Sequence, residues 1–329
     1  MENIPKSPLV SHLGLTEISL DARRQYVDAL SVFTAWEAAV QQCLEVRGGM
    51  YWKRQAGVEY LIRTSPQNTQ KSLGVKSDTT VAIYQKFVDT KASRELRRDE
   101  LAQALIKHQR LNRALFVGRA PQILVDILQG LARANLAEYF TVVGTHALYA
   151  YEAAAGVQIA SAEALATQDV DLLWDTRKRV HFVTQMTRLN ASMLGVLQKV
   201  DPTFELRSDQ RYTAVNSKGF EVDIIRREAG DNDPHPLRLT DDENDFSAVQ
   251  AKRAGALLSA PLFSAMIVSP SGYMARMRTI SPLSFIQFKR WMAVQATRDQ
   301  MKTGRDILQA ELVAQLVEVY LPHLVNPQT

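Results

Sequence analysis

The 329-residue chain is 46% hydrophobic and 22% charged, with a net charge of +4. That balance belongs to a globular protein with room for one large domain or two to three smaller ones. Its single cysteine, Cys43, excludes an intrachain disulfide, no Cys/His spacing suits zinc, and a cytoplasmic setting is expected. No apolar run follows a basic segment at the start, which argues against a secretory signal, and the most apolar window, 255–268, is too short to span a bilayer.

In chain order, residues 21–46 read as a helix, with Tyr26, Leu30, Phe33, Ala38 and Leu44 at apolar positions, stopped by Arg47-Gly48-Gly49. Two short strands, 50–54 and 58–63, follow around a glycine turn, and 65–78 has the composition of a loop. A long charged helix is expected over 79–113 and another over 121–135, with Pro121 near its first turn. Residues 46–120 carry fifteen Lys/Arg against six Asp/Glu, which suits either an acidic partner such as nucleic acid or a solvated helix face.

From residue 139 strands and helices alternate: strand 140–143, helix 145–155, strand 170–174, one or two helices over 180–200, then a hairpin over 210–228 turning at 216–219. After a polar loop at 227–247 come short strands near 265–268 and 273–278, and helix from Pro282 onward. The order implies an α/β core at 119–280 between a basic, mostly helical module with a hairpin at 1–118 and C-terminal helices at 281–329.

Asp169 and Asp171 are two apart on a strand and therefore share a face. Neighbouring carboxylates repel unless protons or a cation neutralise them, and magnesium suits such oxygen ligands. Asp223, between Val222 and Ile224, is a third acid in a strand that reads as buried; it would complete the set if the strands are adjacent, or pair with Arg211, Arg226 or Arg227 if they are not. Gly144-Thr145 stands where a strand becomes a helix, a position that can receive phosphate or serve only as a helix cap. Arg298, Lys302 and Arg305 fit one stripe of a helix, and Lys289 interrupts an apolar stretch, as a phosphate ligand or as a packed stem with its ammonium in water. Asp306 is expected to fix a basic neighbour. His146 could touch a nucleotide or simply pack. No GxGxxG, P-loop, nucleophile-elbow or HExxH pattern is present.

The segments "VVGTHAL", "DVDLL" and "EVDII" together resemble the polymerase-β-type nucleotidyltransferases. "MYWKRQAGVEYLIR", "QKSLG", "GTHALYAYEAAAGV", "ATQDVDLLWDTR" and "KRWMAVQATRDQMKTGRDILQA" are similar to a bacterial family of that fold with no settled substrate, and more distantly to the abortive-infection nucleotidyltransferase toxins. The resemblance implies a polymerase-β-like α/β (α+β) core with a mixed sheet and magnesium-dependent transfer of a nucleoside monophosphate. Asp169, Asp171 and Asp223 would hold two Mg2+ ions, or Mn2+, and Asp223 would help activate the acceptor hydroxyl. Gly144, Thr145 and Lys289 would meet the triphosphate, helped by the Arg298, Lys302 and Arg305 stripe. The 23 residues at 146–168 exceed the spacing of minimal enzymes, and 156–167 are expected as a loop over the site. Expected partners are a nucleoside triphosphate and an acceptor, either RNA such as tRNA (met by Tyr51, Trp52, Tyr60, Tyr84 and the surrounding cations) or a protein hydroxyl. No membrane is expected. A toxin-like role or a non-catalytic, antitoxin-like module stays open.

Overall fold

The computed structural model describes residues 14–230, 233 and 237–325. The chain divides into two compact units, Arg24–Leu115 and the joined segments Met1–Arg23 and Phe116–Thr329. The C-terminal helices thus fall in one unit with the α/β layers.

Strand β1 (Leu15–Glu17) leads into helix α1 (Leu20–Glu45), followed by β2 (Gly49–Gln55), β3 (Val58–Thr64), β4 (Gln70–Val75) and α2 (Asp78–Ala114). In the smaller unit β2, β3 and β4 form an antiparallel sheet in that order. Strand β4 lies where a loop was expected. Its sequence, Gln-Lys-Ser-Leu-Gly-Val, lacks a run of strand formers, and pairing with β3 (Ile62 opposite Ser72, Thr64 opposite Gln70) supplies what local preference does not. A capping box starts α2: the Ser77 amide donates to Thr80 Oγ1 at 2.8 Å, and the Thr80 amide to Ser77 Oγ at 3.3 Å. One sheet face turns towards α2, where Trp52 meets Tyr84 and the Arg63 guanidinium lies over Phe87.

The larger unit continues with α3 (Gln122–Arg133), β5 (Phe140–Val143), α4 (Ala147–Ala155), β6 (Val157–Ile159), α5 (Ala162–Leu165), β7 (Asp169–Trp174), α6 (Arg179–Leu189) and α7 (Met193–Gln198). It then runs through β8 (Glu205–Leu206), β9 (Thr213–Val215), β10 (Glu221–Arg226), β11 (Leu237–Arg238), β12 (Ser247–Gln250) and α8 (Ala254–Ser259). It ends with β13 (Leu262–Val268), β14 (Met274–Ile280), α9 (Pro282–Ala293) and α10 (Gln300–Tyr320). The mixed sheet has the order β11-β12-β10-β7-β5-β14-β13, with β9 also on β10 and β8 on β9. Strand β10 is parallel to β7 and β12, whereas β5 runs antiparallel to β7.

Alternation sorts the two faces. Val170, Leu172 and Trp174 of β7, with Val222 and Ile224 of β10, join a core containing Leu124, Phe182 and Val196 of α3, α6 and α7. Val143 and Leu173 face the other way, into a core with Tyr151, Phe285 and Val313 of α4, α9 and α10. Fully burying each large apolar side chain contributes about 1.5–3 kcal/mol. The acids at 169 and 171 have the parity of Leu173 and so lie on this second face.

The stretch 156–167 is structured, contrary to the loop expected there. Gly156, at φ +68°, ends α4; β6 pairs with β1, Ile159 opposite Leu15, and Ser161 caps α5 through the Ala164 amide at 3.2 Å. The buried Glu152 carboxylate accepts the Ile159 amide at 2.7 Å and the Arg119 guanidinium, which ties this segment down. The polar loop at 227–247 likewise contains β11, and β12 begins at its end. Among the described residues no helix is long and apolar enough to cross a membrane.

Candidate active site

The hairpin that carries Asp223 is set by its turn. Asn216 Oδ1 accepts the Lys218 and Phe220 amides at 3.0 and 2.9 Å, and Gly219 takes φ +77°. This register places Thr213 opposite Asp223 on the antiparallel side, while on the parallel side Asp223 lies opposite Asp171. One carboxylate oxygen from each of Asp169, Asp171 and Asp223 lies within 4.8 Å of the others. The arginines that offered an alternative for Asp223 are engaged elsewhere: Arg211 donates to the Glu243 carbonyl and Arg227 pairs with Asp233. Arg226 belongs to the opposite face of β10 and is fully buried there.

Two hydroxyls orient the acids. Thr213 Oγ1 donates to Asp223 Oδ1 at 2.6 Å, and Thr167 Oγ1 donates to Asp169 Oδ1. Burial, and then the charges of Asp169 and Asp223, push the Asp171 carboxyl up to about 7, against the opposing pull of Lys289 and Lys302. Burial also raises Asp223, partly offset by the Thr213 bond. Three converging carboxylate oxygens, two of them on groups that burial holds towards the neutral form, fit a metal cation.

Gly144 ends β5 directly beside this cluster. Its φ is +71°, and a Cβ there would collide with Asp171 Oδ2, so glycine is required on two counts. Thr145 does not cap the helix: α4 begins at Ala147, and His146, in the cap position, makes no side-chain cap bond. The buried Thr145 hydroxyl instead accepts from Gln309 Nε2 at 3.1 Å. His146 packs against Tyr149 and Phe220, and burial lowers its imidazole to about 4, so it is neutral at ordinary pH.

The basic residues are arranged differently from the expected stripe. Helix α10 begins at Gln300 because Asp299 Oδ1 accepts the Met301 and Lys302 amides at 3.0 and 3.1 Å, which leaves Arg298 outside the helix. Arg298 and Lys289 both pair with the fully buried Asp306, each at 2.7 Å. Arg305 donates to the Ala166 carbonyl at 2.7 Å, on the segment that leads to Asp169. Lys302, in the first turn of α10, acts on Asp171 through its charge. Sequence reasoning missed Thr167, Thr213 and Gln309. The hairpin turn could have revealed Thr213 by counting register back from Asp223, but Gln309 comes from a distant helix and left no local signal.

A mixed sheet that carries three converging carboxylates beside a strand-Gly-Thr-helix turn is the arrangement of a nucleotidyltransferase. Residues 122–328 match the model of a protein family described as Nucleotidyltransferase, and the chain belongs to that family. No curated protein and no solved structure matches it.

Proposed function

We propose that the protein transfers a nucleoside monophosphate from a nucleoside triphosphate to an acceptor hydroxyl, with RNA as the acceptor. The observation that carries the reaction is the convergence of Asp169, Asp171 and Asp223 directly beside Gly144. The three carboxylates would hold the divalent ions. Magnesium or manganese, when bound there, supplies charge neutralisation for the triphosphate and favours ionisation of the attacking hydroxyl.

The chain's own residues do the rest. The bend at Gly144 and the start of α4 offer a phosphate-binding backbone and the positive end of a helix. Thr213 donates to Asp223 Oδ1 and fixes the carboxylate, which would accept the proton of the acceptor hydroxyl. The acceptor oxygen bonds to the α-phosphorus, and the bond to the bridging oxygen breaks with its electron pair leaving on pyrophosphate. Lys302 adds positive charge where the triphosphate would lie.

RNA as acceptor is supported by the excess of cations over 46–120 and by the outer face of the β2–β4 sheet. Trp52 and Tyr84 are spent on each other, with Lys76 over the indole. Tyr51 and Tyr60 alternate to the other face, where Lys53 stands opposite Tyr60 and Tyr51 is 38% exposed. Incubation of the protein and total RNA with each α-labelled nucleotide and magnesium is expected to yield ribonuclease-sensitive label, and Asp171→Asn to abolish it. Label on protein would replace the acceptor, and transfer that survives Asp171→Asn would refute the mechanism.

A further inference from the structure

Gln309 is fully buried on α10, far along the chain from the Gly-Thr turn, yet its amide nitrogen reaches it. Nε2 donates to the Ala164 carbonyl at 2.6 Å and to Thr145 Oγ1 at 3.1 Å. A carbonyl can only accept, so the nitrogen, not the oxygen, of this amide must lie on that side. Oε1 is buried without a hydrogen-bond partner, so the polar contribution of the amide lies in its two N–H bonds. Leaving an amide oxygen unpaired in the interior is unfavourable, and the two bonds must offset it.

The sense of the second bond matters for Thr145. A hydroxyl has one hydrogen to give and accepts through its lone pairs. With the Gln309 amide occupying an accepting position, the Thr145 hydrogen is left to point elsewhere. We propose that Gln309 is a positioning residue for the triphosphate: it holds the Thr145 hydroxyl as a hydrogen-bond donor towards a phosphate oxygen at the Gly144-Thr145 turn. This inference rests on the nucleotide reading of the site. The same side chain anchors α5 through the Ala164 carbonyl, while the stretch from Ala166 to Asp169 is held separately by Arg305 and Thr167.

The test measures binding of each of the four α,β-methylene nucleoside triphosphates with magnesium by calorimetry. Wild type should bind at least one. Gln309→Met should weaken the tightest about tenfold, the loss of one hydrogen bond to a charged acceptor. Gln309→Glu, of nearly the same shape but accepting where the amide donated, should capture the Thr145 hydrogen and lose at least as much. Thr145→Val should be similarly impaired, Thr145→Ser should retain binding, and the double variant Thr145→Val/Gln309→Met should be no weaker than Thr145→Val alone. The rise in melting temperature produced by Mn2+ should persist in Gln309→Met, since the three aspartates are untouched. Gln309 variants that bind as wild type does, losses that add in the double variant, or a vanished Mn2+ response would each overturn the positioning role. Wild type that binds none of the four would overturn the nucleotide reading, and this inference with it.

Discussion

Asp171 is carried by β7, the strand between β5 and β10. It lies between Val143 of β5 and Asp223 of β10 in register, and its carboxyl is raised to about 7. In an unfolded chain an aspartate ionises near about 3.9. The folded protein therefore binds this proton more tightly than the unfolded one, and protonation favours the fold. Without metal, the stability this group contributes is present at low pH and is lost as pH rises through about 7. Metal-free protein should therefore melt higher at about pH 5.5 than at about pH 8, and Asp171→Asn should raise the pH 8 value and flatten the difference. Calorimetric scans of both proteins in chelator across this range would check it; an unaltered slope in the variant would place the effect elsewhere.

At the scale of elements, α9 and α10 are joined by a buried charged group. Lys289 and Arg298 share Asp306, which has no solvent exposure. Asp306→Ala should destabilise the protein by about 3–5 kcal/mol, because it strands a buried ammonium, whereas Lys289→Met with Asp306→Leu should recover most of that loss. Denaturant titrations of the variants measure the difference. The oddity of Lys289 and the anchoring part of Asp306 were readable, but the ammonium expected at a phosphate or in water is buried against Asp306. That pairing joins two helices and has no local signal, and the cap at Asp299 breaks the helix assumed to carry Arg298. The hairpin was the reverse case: its turn residues are local signals, and β9 and β10 form where the pattern placed them. Strand β4 shows the limit, since its residues have little preference of their own and take their form from β3.

At the scale of the whole molecule, charge is unevenly held. Within the smaller unit several cations are already engaged, Lys76 with Glu59 and Arg94 with Glu45, so the net excess overstates what a partner would meet. Exposed pairs of this kind contribute little to stability. If RNA is the acceptor, its affinity should fall at least about tenfold between about 50 and 200 mM salt, as counterion release requires. Filter binding at a series of salt concentrations measures the slope; a flat response would remove RNA from the reaction.

By itself the sequence determined the alternation that sets Asp169 and Asp171 on one side of a strand, the hairpin that bears Asp223, and the glycine at the bend before α4. These follow from backbone periodicity and turn chemistry, which act over a few neighbouring residues. Only the tertiary structure decided that β7 and β10 lie side by side, that Asp306 draws in both Lys289 and Arg298, and that Gln309 reaches Thr145. Those contacts depend on how whole elements pack against the sheet and not on the preferences of neighbouring residues.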